Sequence, residues 1–497
     1  MSINGGVHFM LYLQYIGPGM KFIGRKEELK LLRTLFDKRS ASLVIVKGRR
    51  RIGKSRLIKE FAKDSPFYEF AGIPLENPMT AQMQREAFKL QLEKKFNLSE
   101  LKADDWGSLF SVLAKQTSQG KAIVLLDEIS WMGAKDPTFL GNLKNAWDME
   151  FSSNPNLILI LCGSVSSWIE KNIVNSTGFV GRPSLYLTLE ELPLSDCNLF
   201  WDKLGGGVSA YEKLKLLSVI GGVPRYLELM DPKLPAEENI KQLCFSLAGP
   251  LFEEFDHMFT DVFSERNKTY RKIIEFLSEN GSSSQEKLIN ALGIVRSSDI
   301  GEHLDDLILG GFVSRDYTWK LKTGKISRLS TYRLKDNYTR FYLKYIMPNK
   351  ASIEKGNFAF KTLTALPGWD AMMGLQFENL VLNNHKTVKR LLDINPQDII
   401  FDNPFFQRKT NRQDGCQIDY LVQTRFNTVY ICEIKFSRFE IGPEVISQVE
   451  EKIERLALPR HISYRPVLIH VNGVREDVVD SGFFSQTIDF SDLLTFS

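Results

Sequence analysis

Cysteine and histidine are scarce in this chain of 497 residues, and neither is spaced for a metal site. No two cysteines have C-x-x-C spacing and the six histidines are scattered; the cysteines are Cys162, Cys197, Cys244, Cys416 and Cys432. The pattern excludes a zinc finger and is typical of free thiols in a reducing compartment. We therefore expect a cytoplasmic protein.

Long apolar runs are also missing. No stretch reaches the roughly 18 apolar residues that a membrane-spanning helix needs, so we expect no membrane partner. The apolar segment at residues 7–16 is short and lacks the basic start and the small-residue cleavage site of a signal peptide. Met20 follows it, and residues 1–21 are interpreted as a leader that is either native or the result of an early start codon.

Neither sign of charge dominates, because the chain has 64 basic and 60 acidic residues and a net charge of +4. Total charge therefore does not point to nucleic acid, and any basic patch has to be local. With 43% hydrophobic and 25% charged residues, the composition is that of a globular protein. At roughly 150 residues per domain, the length predicts about three domains.

The pattern along the chain predicts an α/β protein. Apolar runs at residues 42–46, 122–126 and 157–161 alternate with helical patterns. Such runs favour a parallel sheet that is covered on both faces. Residues 205–265 have helical patterns, and residues 266–346 predict three short helices followed by a hairpin.

A second α/β region is predicted after residue 350. It has a helix at residues 375–383, strands at 419–422 and 428–435, and a helix at 443–456. The boundaries of these regions are set near residues 265 and 350.

The strongest motif is G-x-x-x-x-G-K-S at residues 48–55, directly after an apolar strand and before a helical pattern. In this context the backbone N–H groups of a glycine-rich loop wrap phosphates. Lys54 then reaches the β- and γ-phosphates and Ser55 binds Mg²⁺. We expect ATP and Mg²⁺ as cofactors, with ATP bound by Gly48, Arg49, Arg50, Arg51, Ile52, Gly53, Lys54, Ser55 and Arg56.

The ends of two further strands supply polar groups to the same site. Asp127 and Glu128 follow the apolar run at 122–126, which predicts that Asp127 completes the Mg²⁺ shell and that Glu128 orients or deprotonates the attacking water. Ser164 follows the run at 157–161. It is interpreted either as a sensor of the γ-phosphate or as a helix cap.

The loop is strongly basic. Six of ten positions carry a positive charge, namely Lys47, Arg49, Arg50, Arg51, Lys54 and Arg56. One interpretation is additional contact with nucleotide or nucleic acid. The other, which we favour, is a solvated basic loop tip.

These motifs, with Phe-Ile-Gly-Arg at 22–25, Cys-Gly-Ser at 162–164, Gly-Arg-Pro at 181–183 and Gly-Gly-Val-Pro-Arg-Tyr at 221–226, resemble the archaeal-type family of AAA+/STAND-related P-loop ATPases. The resemblance implies an ATPase core at 22–204 with a box near the adenine at 22–25. It also implies a helical lid at 205–265.

Arg182 has a catalytic interpretation, which the resemblance implies, and a structural one. The residue occupies the family's Gly-Arg position, which implies an arginine finger or a sensor in cis, because a guanidinium neutralises charge on a transferring phosphoryl group. The alternative is a structural ion pair with Glu190 or Glu191.

Residues 266–350 resemble a winged helix-turn-helix. Between residues 315 and 344 there are nine basic and two acidic residues, and Tyr317 and Trp319 are interleaved with them, which predicts a surface for DNA phosphates. The third helix is acidic, since it carries Glu302, Asp305 and Asp306. DNA contact and a protein-binding or spacer role therefore both stay open.

Residues 351–497 resemble the restriction-endonuclease-like PD-(D/E)XK superfamily, which includes a C-terminal domain of unknown function that accompanies these ATPases. Glu433 and Lys435 share one face of a strand. The resemblance implies that Asp419, Glu433 and the auxiliary Glu378 bind Mg²⁺, and that Lys435 stabilises charge in phosphodiester hydrolysis. Gln448 is a further orienting residue. Ile418 stands where the motif's name has proline.

Two functions follow from these motifs. The first is a P-loop ATPase whose nucleotide state controls a nuclease-like, DNA-interacting C-terminal domain. The second is an ATP-dependent switch or regulator with an inactive nuclease fold, which binds a protein partner or forms a homo-oligomer.

Overall fold

The computed structural model describes residues 21–74, 79–164, 167–204, 207–263, 267–293, 297–360, 362–411 and 413–496. Almost all of the predicted leader, residues 1–21, lies outside this part of the chain. The chain divides into two compact units, Gly24–Glu191 and the combination of Met1–Ile23 with Leu192–Ser497. Among the described residues, no helix has the length and apolar character needed to cross a bilayer.

The first unit is built on a five-stranded sheet. Its strands are β1 (Ser42–Gly48), β2 (Phe67–Ala71), β3 (Ala122–Asp127), β4 (Leu157–Ser164) and β5 (Pro183–Leu189). They lie in the order β2-β3-β4-β1-β5 and all neighbours run parallel, as predicted for an α/β protein. Its helices are α1 (Lys26–Arg33), α2 (Lys54–Ala62), α3 (Ala81–Phe96), α4 (Trp106–Gln116), α5 (Ile129–Gly133), α6 (Phe139–Met149) and α7 (Ser167–Ile169).

The apolar runs predict only the three central strands of this sheet. β1, β3 and β4 are buried along almost their whole length, which matches their continuous apolar sequences. The edge strands β2 and β5 are largely half-buried and carry polar residues such as Glu69 and Thr188. Because the edge of a sheet is less completely covered, these two strands lack an apolar run in the sequence.

The second unit begins with helices. They are α8 (Leu194–Asn198), α9 (Ala210–Ile220), α10 (Pro224–Leu229), α11 (Ala236–Cys244), α12 (Glu254–Phe263), α13 (Asn267–Asn280), α14 (Gln285–Leu292) and α15 (Ser297–Leu309). A hairpin of β6 (Val313–Lys320) and β7 (Lys325–Leu334) follows. The three predicted helices and the hairpin between residues 266 and 346 are therefore confirmed.

The remaining elements form the C-terminal part of this unit. The helices are α16 (Asn337–Phe341), α17 (Lys350–Glu354), α18 (Trp369–Asn383), α19 (His385–Leu391), α20 (Glu444–Arg455), α21 (Glu476–Asp480) and α22 (Phe490–Thr495). The strands are β8 (Ile399–Gln407), β9 (Cys416–Thr424), β10 (Thr428–Lys435), β11 (Ser463–His470) and β12 (Gln486–Asp489). Short 3₁₀ or π-helical turns lie at Thr34–Asp37, Phe151–Ser153, Glu170–Val174, Leu199–Leu204, Tyr342–Ile346, Met347–Asn349, Leu363–Ala365 and Pro396–Asp398.

The C-terminal sheet has the order β12-β11-β10-β9-β8. β8, β9 and β10 are antiparallel neighbours, whereas β11 and β12 continue the sheet in parallel with β10. The two predicted strands correspond to β9 and β10. A tight turn joins them with Asn427 at a φ of 53°, so that Tyr420 pairs with Cys432 and Asp419 lies beside Glu433.

The hairpin packs against this sheet, which corrects one prediction. Trp319 is 3% exposed, its indole Nε1–H donates to Gln423 Oε1 at 2.6 Å, and its ring meets that of Phe405 at 5.1 Å. Trp319 is therefore a core residue of the second unit, not part of a phosphate-binding surface. The ring of Tyr317, in contrast, is 41% exposed beneath the guanidinium of Arg315.

Two of the nine basic residues between 315 and 344 are also buried. Arg333 donates from Nε to Asp316 Oδ2 at 3.0 Å and contacts the side chain of Asn379, while Arg340 is 2% exposed. Both fix the hairpin and α16 to α18. The basic residues exposed on the hairpin are Lys320, Lys322, Lys325 and Arg328.

Candidate functional site

The phosphate loop at residues 48–55 joins the end of β1 to the start of α2. A Cβ atom on Gly48 would lie 2.6 Å from the carbonyl oxygen of Leu189, so this position requires glycine. Gly53, directly before α2, has a φ of 87°, which glycine adopts without strain. The loop thus has the close backbone approach and the left-handed turn that phosphate wrapping needs.

Buried cations hold the loop in this shape. Lys54 Nζ donates to the carbonyl oxygens of Gly48 and Arg49 at 3.0 and 3.1 Å. Arg25, which is 5% exposed, donates to the carbonyl oxygens of Ile52, at 3.2 Å, and Glu190. The sequence did not assign Arg25 this bracing role, because no local pattern connects it with residues 27 and 165 positions away.

The structure brings the two expected magnesium ligands of the ATP site together. Ser55 in the first turn of α2 donates from Oγ to Asp127 Oδ2, at the end of β3, at 2.6 Å. A hydroxyl and a carboxylate are oxygen donors of the kind that Mg²⁺ prefers beside phosphates. These residues therefore fit the metal, which would, when bound, neutralise charge on the β- and γ-phosphates of a nucleotide.

Glu128 directly follows Asp127 and has a left-handed backbone conformation, with a φ of 50°. A Cβ atom on Gly72 would lie 2.9 Å from the Glu128 carbonyl oxygen, so glycine on the neighbouring segment leaves room for this turn. Strained backbone of this kind concentrates at functional sites. The backbone N–H and Oγ of Ser164 each lie 3.4 Å from a Glu128 carboxylate oxygen, so Ser164 faces the predicted base.

Arg182 forms an ion pair other than the one expected. Its Nε and Nη2 donate to the two carboxylate oxygens of Asp148 at 2.7 and 2.8 Å, and this contact lowers the pKa of Asp148 to about 2. The expected pairing with Glu190 or Glu191 is therefore wrong. The two residues lie 34 positions apart, and only the packing of α6 near the start of β5 brings them together.

Most of the loop's basic residues are engaged within the first unit. Lys47 pairs with Glu170, Arg49 lies 3.4 Å from Glu191 and is 8% exposed, and the Arg50 guanidinium lies 5.8 Å from the ring centre of Trp131. The interpretation as a solvated loop tip fits Arg51, which is exposed, and fails for Arg49.

A second cluster of predicted residues lies on β9 and β10. Asp419 Oδ2 accepts the backbone N–H of Ile434 at 2.9 Å, and Glu433 on the next strand is 6% exposed. Lys435 Nζ donates to Gln448 Oε1 on α20 at 2.9 Å. The predicted Lys435 and Gln448 are thus brought together.

Lys452 is the residue of this cluster that the sequence did not indicate. Its Nζ contacts Glu433 Oε2 and lies 3.6 Å from Asp419 Oδ1. One signal was present: Gln448 and Lys452 are four residues apart and share a face of a helix.

Glu378 on α18 lies close enough to Asp419 to interact with it electrostatically. Burial and then the negative charge of Asp419 raise the pKa of Glu378 to about 7. Even so, among the described residues no three side chains of His, Cys, Asp or Glu are grouped to hold a metal ion. Glu378, Asp419 and Glu433 are therefore not grouped as a three-ligand site in this arrangement, and the Lys452 ammonium lies within ion-pair distance of Asp419 and Glu433.

One protein family matches part of this chain. Residues 22–230 match an ATPase domain found predominantly in Archaea. The matched segment contains the phosphate loop, Asp127, Glu128 and Arg182. The match supports the resemblance to archaeal P-loop ATPases and an ATPase function for this segment.

Two individual relatives and one solved structure are similar to this chain. An uncharacterized protein of Methanocaldococcus jannaschii is 26% identical over 72% of this chain and 76% of its own length. An uncharacterized ATP-binding protein of the same organism is 46% identical over 43 residues, which are 9% of this chain and 73% of that protein. A Walker-type ATPase of Pyrococcus abyssi is structurally similar with a TM-score of 0.49 and 16% identity, over 65% of this chain and 96% of the other.

Proposed function

We propose that residues 22–230 bind ATP with Mg²⁺ and hydrolyse it. The contact between Ser55 and Asp127 carries this proposal, because it places a hydroxyl and a carboxylate side by side at the start of the helix that follows the phosphate loop. The helix N-terminus and the loop N–H groups favour negative charge at the same point. The family match at residues 22–230 supports it.

The remaining residues take roles around this contact. Lys54 exchanges its bonds with the loop carbonyls for bonds to the β- and γ-phosphates. Glu128, beside Ser164, orients or deprotonates the attacking water. Arg182 serves as an arginine finger or cis sensor only after it leaves Asp148.

A titration of Mg²⁺ and ATP against an Asp127 variant tests the proposal. Asp127→Asn should lose Mg²⁺-dependent ATP hydrolysis, whereas Asp64→Asn, an equal change of charge at an exposed position just after α2, should retain it. Calorimetry gives the affinities and phosphate release gives the turnover. Wild-type turnover by Asp127→Asn would overturn the metal assignment.

We further propose that the domains follow the limits drawn from the sequence: core 22–204, lid 205–265, winged helix 266–350 and nuclease-like domain 351–497. Three helices followed by a hairpin support the winged helix. Asp419, Glu433 and Lys435 on two paired strands support the PD-(D/E)XK-like fold, with DNA as its partner.

Cleavage of supercoiled plasmid and single-stranded DNA with Mg²⁺ or Mn²⁺ tests the nuclease hypothesis. Lys435→Ala should abolish any cleavage, and an unchanged rate would refute the site. The alternative, a switch that binds protein partners, predicts no cleavage and a change of mass between ATP and ADP in analytical ultracentrifugation. An equal mass in both nucleotides would count against the switch.

A further inference from the structure

Lys452 occupies the point between the two strand carboxylates of the nuclease-like cluster. Its ammonium contacts Glu433 Oε2 and lies 3.6 Å from Asp419 Oδ1, within ion-pair distance of both. The Glu433 and Asp419 side chains are 8% and 17% exposed. A cation that bridges this pair would have to lie where the ammonium lies.

The other polar groups of the cluster do not neutralise the two carboxylates, because they have different partners. Lys435, the lysine of the motif, donates to Gln448 instead of a carboxylate. Asp419 uses its second carboxylate oxygen to accept the N–H of Ile434. Two carboxylates at partly buried positions repel each other unless a positive charge lies close by, and burial strengthens that attraction.

We propose that Lys452 is a tethered counter-cation that closes the nuclease-like site to divalent metal ions until its ammonium moves away. This inference rests on the nuclease-like function proposed above. It predicts that the wild-type protein binds metal weakly at Asp419 and Glu433, and that loss of the ammonium opens the site.

Mn²⁺ binding to the full chain, followed by electron paramagnetic resonance without nucleotide, tests this. Lys452→Gln should bind Mn²⁺ at least about tenfold more tightly than wild type, because removing the competing charge leaves the pair uncompensated. Arg455→Gln removes one positive charge from the same helix, where Arg455 pairs with Glu451, and should bind like wild type. Lys452→Arg keeps the charge and should also bind like wild type.

Asp419→Asn, added to each protein, identifies the site. Mn²⁺ whose binding is lost on this substitution is bound at the cluster, and Mn²⁺ that remains is bound elsewhere. If wild type and Lys452→Gln bind such Mn²⁺ equally, the inference fails and the metal site stands. If neither binds any, both the inference and the metal-dependent nuclease hypothesis fail. Lys452→Met provides a second neutral variant, should circular dichroism show that Lys452→Gln is unfolded; tight binding by Lys452→Arg would also overturn the inference.

Discussion

At the scale of single residues, we expect Lys54 to have two roles, one in shaping the phosphate loop and one in binding phosphate. Its ammonium is buried and bonded to two loop carbonyls, so it shapes the loop before any phosphate arrives. Lys54→Ala should therefore reduce ATP affinity at least about a hundredfold, since both the charge and the loop geometry are lost. Fluorescent ATP binding measures this, with Lys59→Ala on the same helix as the control. Affinity within about threefold of wild type would contradict the role.

Glu128 lies in a strained turn, and its carboxylate lies beside Ser164. This position fits the proposed role of Glu128 in hydrolysis, which does not require it for ATP binding. Glu128→Gln should keep ATP affinity and slow hydrolysis about 10²–10⁴-fold, the usual contribution of a general base. Single-turnover phosphate release measures the rate, and Glu150→Gln on the same unit is the control. Unaffected hydrolysis would place the base elsewhere.

Glu378 makes the second unit sensitive to pH. Its pKa is about 7 in the folded protein against an ordinary value of 4.5, so between these pH values the folded state keeps a proton that the unfolded chain has lost. The free energy of unfolding therefore falls as pH rises from about 4.5 to about 7, by an amount on the order of 3 kcal/mol.

Glu378→Gln should remove this decrease in the free energy of unfolding with rising pH. Urea unfolding at pH 5 and pH 8 measures it, and the variant should gain stability relative to wild type at the higher pH. Identical pH dependence in the two proteins would show that the carboxyl group ionises in the fold without cost.

At the scale of elements, the phosphate loop depends on the contact between β1 and β5. Gly48→Ala would bring a Cβ atom to 2.6 Å from the backbone oxygen of Leu189, so one of the two strands has to shift. We expect a lower melting temperature and a large loss of ATP affinity.

Gly141→Ala is the matched control, because nothing lies within 4 Å of the added atom on α6. It should raise stability by about 0.5–1 kcal/mol, the helix propensity difference. Thermal unfolding and ATP titration compare the pair; equal behaviour would mean that the β1–β5 contact adapts freely.

At the scale of the whole molecule, the hairpin packs against the C-terminal sheet within the second unit, and we expect the two to unfold together. Trp319 joins them through its ring and its bond to Gln423. Trp319→Ala should destabilise this unit by about 3–5 kcal/mol, whereas Tyr317→Ala, at an exposed position two residues earlier, should cost under about 1 kcal/mol. Denaturant unfolding followed by circular dichroism measures both, and similar costs would show that the hairpin is independent.

The sequence predicted those features that a short stretch of chain determines. The phosphate loop, the three buried strands and the β9–β10 pair all follow from local periodicity or from the backbone preferences of single residues. Arg25 gave no such signal, because its role depends on a carbonyl 165 positions away.

Only the tertiary structure decided which distant side chains meet. It paired Arg182 with Asp148, buried Trp319 and Arg333 within the second unit, and placed Lys452 between Asp419 and Glu433. The physical reason is the separation along the chain over which each interaction acts. Backbone preference and hydrophobic period act over a few residues, whereas an ion pair or a buried ring depends on which elements pack together, and many residues of the right type compete for each partner.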